Sequence, residues 1–166
     1  MLKKEKTKML KYIDANIVFQ EVPDEISLAI SITNCPNHCP DCHSKYLWED
    51  TGDELTEEAL DSHISKYIDD ITCVCFMGGD RDKHEVYRLA GYVRMKYPKL
   101  KIAWYTGQDE IDRDFTWENF DYVKVGRFIK IKGPLDNPNS NQYMIKRDGN
   151  HWVDISDKFY SMKHVI

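Results

Sequence analysis

No apolar run in this chain of 166 residues approaches the ~20 residues that a membrane-spanning helix requires. The opening MLKKEKTKML carries charge but lacks the apolar stretch of a secretory signal. Both absences speak against an integral or exported protein, and a cytoplasmic location is expected. Excess basic charge is missing too: 23 Lys and Arg stand against 28 Asp and Glu, a formal net charge of -5. The basic face of a general nucleic-acid binder is therefore not expected, and neither nucleic acid nor membrane is an expected partner. Small ligands or another protein are. Internal repeats and low-complexity segments are lacking. Cysteine is scarce, at five residues, and an odd number without an export signal argues against a disulfide framework.

What is present is the make-up of a globular domain, 42% hydrophobic and 31% charged, at a length that suits one compact domain rather than two. Residues 1–10 read as a disordered N-terminal tail, with Met9 as an alternative start, and residues 11–166 as the domain.

Three of the five cysteines fall within CPNHCPDC, residues 35 to 42. Thiolates suit zinc or iron-sulfur clusters. A structural zinc site wants four protein ligands, usually as two separated pairs, and Cys35, Cys39 and Cys42 have no second pair. Cys73 and Cys75 share one face of a predicted strand and read as core residues. Three thiolates can hold three irons of a 4Fe-4S cubane and leave the fourth iron open to another ligand. Pro36 and Pro40 stiffen the loop and reduce the entropy lost on wrapping a cluster. His38 and His43 read as loop residues without a ligand role, and His63 and His84 as solvated.

Around the loop, strand and helix patterns alternate. ISLAISI (26–32) alternates as a strand and runs into the cysteines. LTEEALDSHISKYIDD (55–70) puts Leu60, Ile64, Tyr67 and Ile68 on one helical stripe, with Thr56 as N-cap. ITCVCFM (71–77) is a buried strand ending at Gly78 and Gly79. DKHEVYRLAGYVRMKYP (82–98) is a second helix, stopped by Pro98. LKIAWY (100–105) and DYVKV (121–125) are further strands, with a short helix expected near QDEID and a turn near TWENF between them. QYMIKRDGNHWVDI (142–155) reads as a hairpin around Asp148-Gly149. The alternation predicts right-handed βαβ units and a largely parallel sheet. CPNHCPDC, GGD, TGQ and GRF would then share the rim where ligands bind in such folds.

The cysteine spacing resembles the signature of the radical SAM superfamily. MGGD (77–80) is similar to its glycine-rich motif, and WYTG (104–107) and VGRF (125–128) follow the next strands. GPLDNPNSNQ (133–142) resembles a C-terminal loop of anaerobic ribonucleotide reductase activating proteins, whose short length also agrees. The resemblance covers roughly residues 12 to 146. It implies an α/β fold, a partial (open) parallel β/α barrel of the radical SAM type with a C-terminal β-hairpin. It implies that Cys35, Cys39 and Cys42 ligate a 4Fe-4S cluster whose open iron takes S-adenosylmethionine (SAM). Asp41 and His43 would touch the nucleoside through backbone, with Cys42 between them. Gly78 and Gly79 would let the chain approach the methionine end, and Asp80 ends that motif. Arg127, Phe128 and Ile129 would line the far side.

The activity so implied is reductive cleavage of SAM and formation of a glycyl radical on the reductase's catalytic subunit, with a low-potential electron donor such as flavodoxin. The chain departs from the pattern at FQEVPDE, ahead of the first strand, at Arg81, where proline is common, and at Asp41, where many members carry an aromatic. Two other readings stand beside it: a short radical SAM enzyme acting on a small molecule or another glycyl-radical enzyme, and a non-catalytic zinc- or cluster-stabilised binding module.

Overall fold

Strand-forming alternation dominates the computed structural model, which describes residues 9–42 and 44–162, the side chains of 161 and 162 excepted. Eight strands form one sheet: β1 (Lys11–Val18), β2 (Ser27–Ile32), β3 (Asp53–Glu54), β4 (Cys73–Met77), β5 (Lys101–Tyr105), β6 (Tyr122–Val125), β7 (Tyr143–Asp148) and β8 (His151–Asp154). Their order is β3-β1-β2-β4-β5-β6-β7-β8. Among the described residues three helices accompany them, α1 (Glu57–Tyr67), α2 (Lys83–Lys96) and α3 (Asp157–Met162). No helix among the described residues is long and apolar enough to cross a membrane.

The expected parallel β/α barrel is not formed. Only β2-β4, β4-β5 and β5-β6 pair in parallel, whereas β1-β2, β1-β3, β6-β7 and β7-β8 are antiparallel. The sheet is mixed and open, with β3 and β8 at its edges. The reason lies in the connections. Only α1 and α2 are long enough to cover parallel crossovers, and the link from β5 to β6 carries just a 3-10 turn at Trp117–Asn119. No helix forms at QDEID. After β6 the chain returns antiparallel, so nothing continues the parallel series toward closure. The sequence reading also passed over β1, which lies antiparallel to β2 with a register shift between Tyr12 and Asp14. That bulge breaks the period-two alternation by which strands are recognised. Of the N-terminal tail expected at 1–10, residues 1–8 lie outside the described residues, while Leu10 is buried in the core.

The helix readings rest on local chemistry. Thr56 accepts the Ala59 N–H at 3.1 Å as N-cap of α1, and Asp82 caps α2 through Glu85 N–H at 3.2 Å. Leu60 and Ile64 of α1, with Val86, Leu89 and Val93 of α2, cover one face of the sheet over Leu28, Val74, Phe76, Ile102 and Val123. The opposite face carries Cys73, Cys75, Ala103, Tyr122 and Met144 under Val22, Leu135, Ile155 and Phe159. Cross-strand register aligns Ser31, Met77, Tyr105, Lys124 and Met144 across five strands. This row lies near the C-terminal ends of the parallel strands, on the face away from α1 and α2. Cys73 and Cys75 are fully buried, and burial pushes the Cys73 thiol up to about 12. Both are core sulfur, as their place on a strand predicts, because a thiol held neutral is a poor ligand and nucleophile.

Asp121 ties the sheet to α2 and β7. It accepts from Arg94 at 2.6 Å, from Arg147 at 3.3 Å and from the Ile102 N–H at 2.9 Å. Asp121→Ala removes the only carboxylate of that set and leaves two partly buried guanidinium groups behind, so a loss of about 3 kcal/mol is expected. Urea denaturation monitored by circular dichroism measures it, and an unchanged midpoint would contradict the assignment.

Candidate functional site

The cysteine loop leaves β2 through Thr33, whose hydroxyl donates to Thr51 O at 2.6 Å. Backbone bonds from Asn34 N to Glu49 O (2.9 Å) and from Cys35 N to Leu47 O (3.0 Å) close its base. Three non-glycine residues, Asn34, His38 and Asp41, adopt left-handed backbone, with φ of 59°, 43° and 60°. The loop therefore coils tightly instead of extending, and Cys42 N bonds Cys39 O at 3.1 Å. His38 stacks on Trp48 with ring centres 4.5 Å apart, in keeping with a loop role rather than a ligand role. His43 lies outside the described residues. His63, expected to be solvated, instead hydrogen-bonds the Tyr12 hydroxyl at 2.7 Å.

All five cysteines are free. Cys39 is buried, and Cys35 and Cys42 are half-buried. Burial raises the Cys35 thiol above its ordinary range, and backbone N–H groups of Asn37 and His38 directed at its sulfur partly oppose this, while the Asp80 charge adds to it. Among the described residues no three His, Cys, Asp or Glu side chains are gathered closely enough to hold a metal ion. A single ion needs its donors converged, whereas a cubane takes one thiolate per iron and wants them spread.

Asp80 holds the loop in place. One of its oxygens accepts from Asn37 Nδ2 at 2.7 Å and from the Gly107 N–H at 2.8 Å; the other accepts from the Thr106 hydroxyl at 2.5 Å. Gln108 Nε2 completes the bracket by donating to Asn37 Oδ1 at 2.7 Å. Three loops, those after β2, β4 and β5, are thus joined through one carboxylate. Arg81 donates to Asn34 O at 3.3 Å and to Asn34 Oδ1 at 3.4 Å. It adds a second tie from the same turn. Gly79 makes the turn possible. Its φ is +97°, and a Cβ there would stand 2.3 Å from Val86 Cγ2. Gly78 accepts from Trp104 Nε1 at 2.9 Å.

Beside the loop, on the face away from α1 and α2, lies a cavity of about 550 Å³ lined by Cys42, Tyr105, Lys124, Phe128, Leu135, Gln142 and Phe159 among others. Of the residues singled out in the sequence, Cys42 and Phe128 line it. Asp80 stands behind it as the clamp. Asp41 is exposed and faces Lys130 at 3.9 Å, Arg127 is exposed and paired with Asp109 at 3.4 Å, and Ile129 accepts the Lys132 and Gly133 N–H groups of a 3-10 turn. The SNQ segment is fastened to the end of β6: Asn141 Nδ2 donates to Arg127 O at 2.9 Å and Gln142 Nε2 to Gly126 O at 3.3 Å.

Lys124 and Tyr105 were not foreseen. Lys124 is only 9% exposed. Its ammonium donates to Gly126 O at 2.8 Å and sits over the Tyr105 ring, 5.6 Å from its centre. Burial lowers its pKa to about 8, against the raising influence of Asp80 and the three loop cysteines. Tyr105 donates to the Glu21 carbonyl, and burial keeps its phenol well above the ordinary range. DYVKV and LKIAWY showed only strand alternation, and one polar residue in a short strand gives no sign of which face or end it reaches.

The donor set fits an iron-sulfur cluster: three free thiols on one coiled loop, braced from two sides, with a buried cation nearby. The indole N–H of Trp48, against the loop, is buried without an acceptor among the described residues, so a further hydrogen-bond donor is at hand. Comparison with curated proteins and with solved structures returned no match. A family model described as a 4Fe-4S single cluster domain matches residues 26–145, a span running from β2 through the cysteine loop and the cavity wall into β7. The chain belongs to this family of 4Fe-4S single cluster domains.

Proposed function

We propose that the protein is a radical SAM activase that holds its cluster on Cys35, Cys39 and Cys42, binds SAM in the cavity beside Cys42, and generates a glycyl radical on an anaerobic ribonucleotide reductase in the cytoplasm. The observation that supports this most is the meeting of a three-thiol loop with a cavity of about 550 Å³ that one of its cysteines lines. Cys35, Cys39 and Cys42 would hold the cluster, which would supply the electron for reductive cleavage of SAM and so the hydrogen-atom chemistry at the partner's glycine Cα.

The chain's own residues position and shield. Asp80, through Asn37, keeps the cysteine loop against the strand ends. Leu135, Phe128 and Phe159 give the cavity an apolar wall, which excludes water from a reactive intermediate. Gln142 and Lys124, both anchored on Gly126 O, supply polar groups at the cluster side. No side-chain acid or base is needed for hydrogen-atom transfer. A low-potential carrier of the flavodoxin kind would deliver the electron.

Anaerobic reconstitution followed by reduction in the presence of SAM tests the reading. Release of 5'-deoxyadenosine, together with a glycyl-radical signal in electron paramagnetic resonance when the reductase is added, is expected. A colourless protein with one zinc and no SAM cleavage would sink it.

A further inference from the structure

An ammonium buried without a counter-charge is costly, and Lys124 is 9% exposed. The contacts that hold it are neutral: the Gly126 carbonyl and the Tyr105 ring. Lys124 lines the same cavity as Cys42, and the acidic groups that act on it are Asp80, Cys39, Cys42 and Cys35, each in the cysteine loop or its clamp. Asp80 has both oxygens engaged by Asn37, Thr106 and Gly107. Glu21 and Asp136 also line the cavity, in which Lys124 is the one cation among the described residues. Cysteine ligands are thiolates, so a filled loop brings new negative charge to the side that Lys124 faces. In a low-dielectric interior a nearby cation favours the more negative of two redox states.

We propose that Lys124 is the built-in counter-charge of the cysteine loop, stabilising the reduced cluster over the oxidised one. The inference rests on cluster occupancy of the loop and on nothing about SAM cleavage. It explains why a strand otherwise apolar at this depth spends a lysine at the row formed by Met77, Tyr105 and Met144.

The test is a redox titration of the reconstituted protein without SAM or partner, followed by electron paramagnetic resonance, with iron and sulfide assayed in parallel. Lys124→Gln keeps a polar side chain but carries no charge. It is expected to load the cluster and to make reduction roughly tenfold less favourable, a midpoint about 59 mV more negative for one electron. Lys124→Arg should stay near the parent value. An unshifted midpoint in a loaded K124Q overturns the proposal. If K124Q fails to retain iron while K124R retains it, the charge is needed to hold the anionic loop, which supports it. If both fail to load, the lysine serves packing alone and the proposal falls. SAM cleavage assayed on the parent stands or falls separately.

Discussion

Alanine at any one of Cys35, Cys39 or Cys42 is expected to give a protein that still folds but retains little iron or sulfide after anaerobic reconstitution and gel filtration. These thiols sit on a loop outside the strands, its base closed by backbone bonds from Asn34 and Cys35, so removing a sulfur leaves the sheet and its helix-covered face untouched. With the cluster held on these three thiols, as proposed, the effect on the site is large because a ligand itself would be lost. Loss of a mere supporting contact around a metal costs roughly 10- to 100-fold in affinity, and deletion of a ligand should exceed that. Cys73→Ala and Cys75→Ala are the internal controls. Both sulfurs are buried in the sheet, so these variants should lose stability but keep the brown chromophore. Retention of a full cluster by all three loop variants, or its loss in the two controls alone, would place the cluster elsewhere.

Asp80→Ala should produce the second largest loss, by loosening the loop without touching a ligand. Three donors, Asn37 Nδ2, the Thr106 hydroxyl and the Gly107 N–H, converge on that carboxylate, and hydrogen bonds to charged groups are worth about 1.5–3 kcal/mol each. Without it the cysteine loop is released from the loops after β4 and β5, and cluster retention should fall by roughly 10- to 100-fold. Asp80→Asn is expected to rescue only in part, because its amide NH₂ must face one of the three donors. Asn37→Ala should show a smaller loss of the same kind, and D80A and N37A combined should lose less than the sum of the two. Iron retention against time under a chelator measures all four variants. Strict additivity, or normal retention in D80A, would mean that the carboxylate does not brace the loop.

Local chemistry made some of this molecule legible from its residues alone. Thr56 as N-cap, the apolar stripe of α1 and the Asp148-Gly149 turn between β7 and β8 depend on neighbours a few positions away. The period of the pattern and the capping residue are sufficient there. The 4Fe-4S character of the chain was legible for the same reason, since the number and spacing of thiols are properties of eight consecutive residues. Strand β1 was not, because its bulge near Tyr12 erases the alternation. Nor was the sheet's mixed topology, since alternation of strand with helix says nothing about where a helix-free connection such as that between β5 and β6 will send the chain.

The sequence by itself determined the iron-sulfur character of this protein and the loop that carries it: a stiff segment with three thiols, followed by glycine turns at strand ends. Tertiary structure alone decided what surrounds it. Asn37 meets Asp80 across 43 positions and Gln108 across 71, and Lys124 faces the cysteines only because β6 pairs with β5 in one particular register. A one-residue slip would turn that ammonium to the helix-covered face. Contacts between distant segments depend on sheet order and register, which are set by the packing of the whole chain and leave no mark on any short stretch of it.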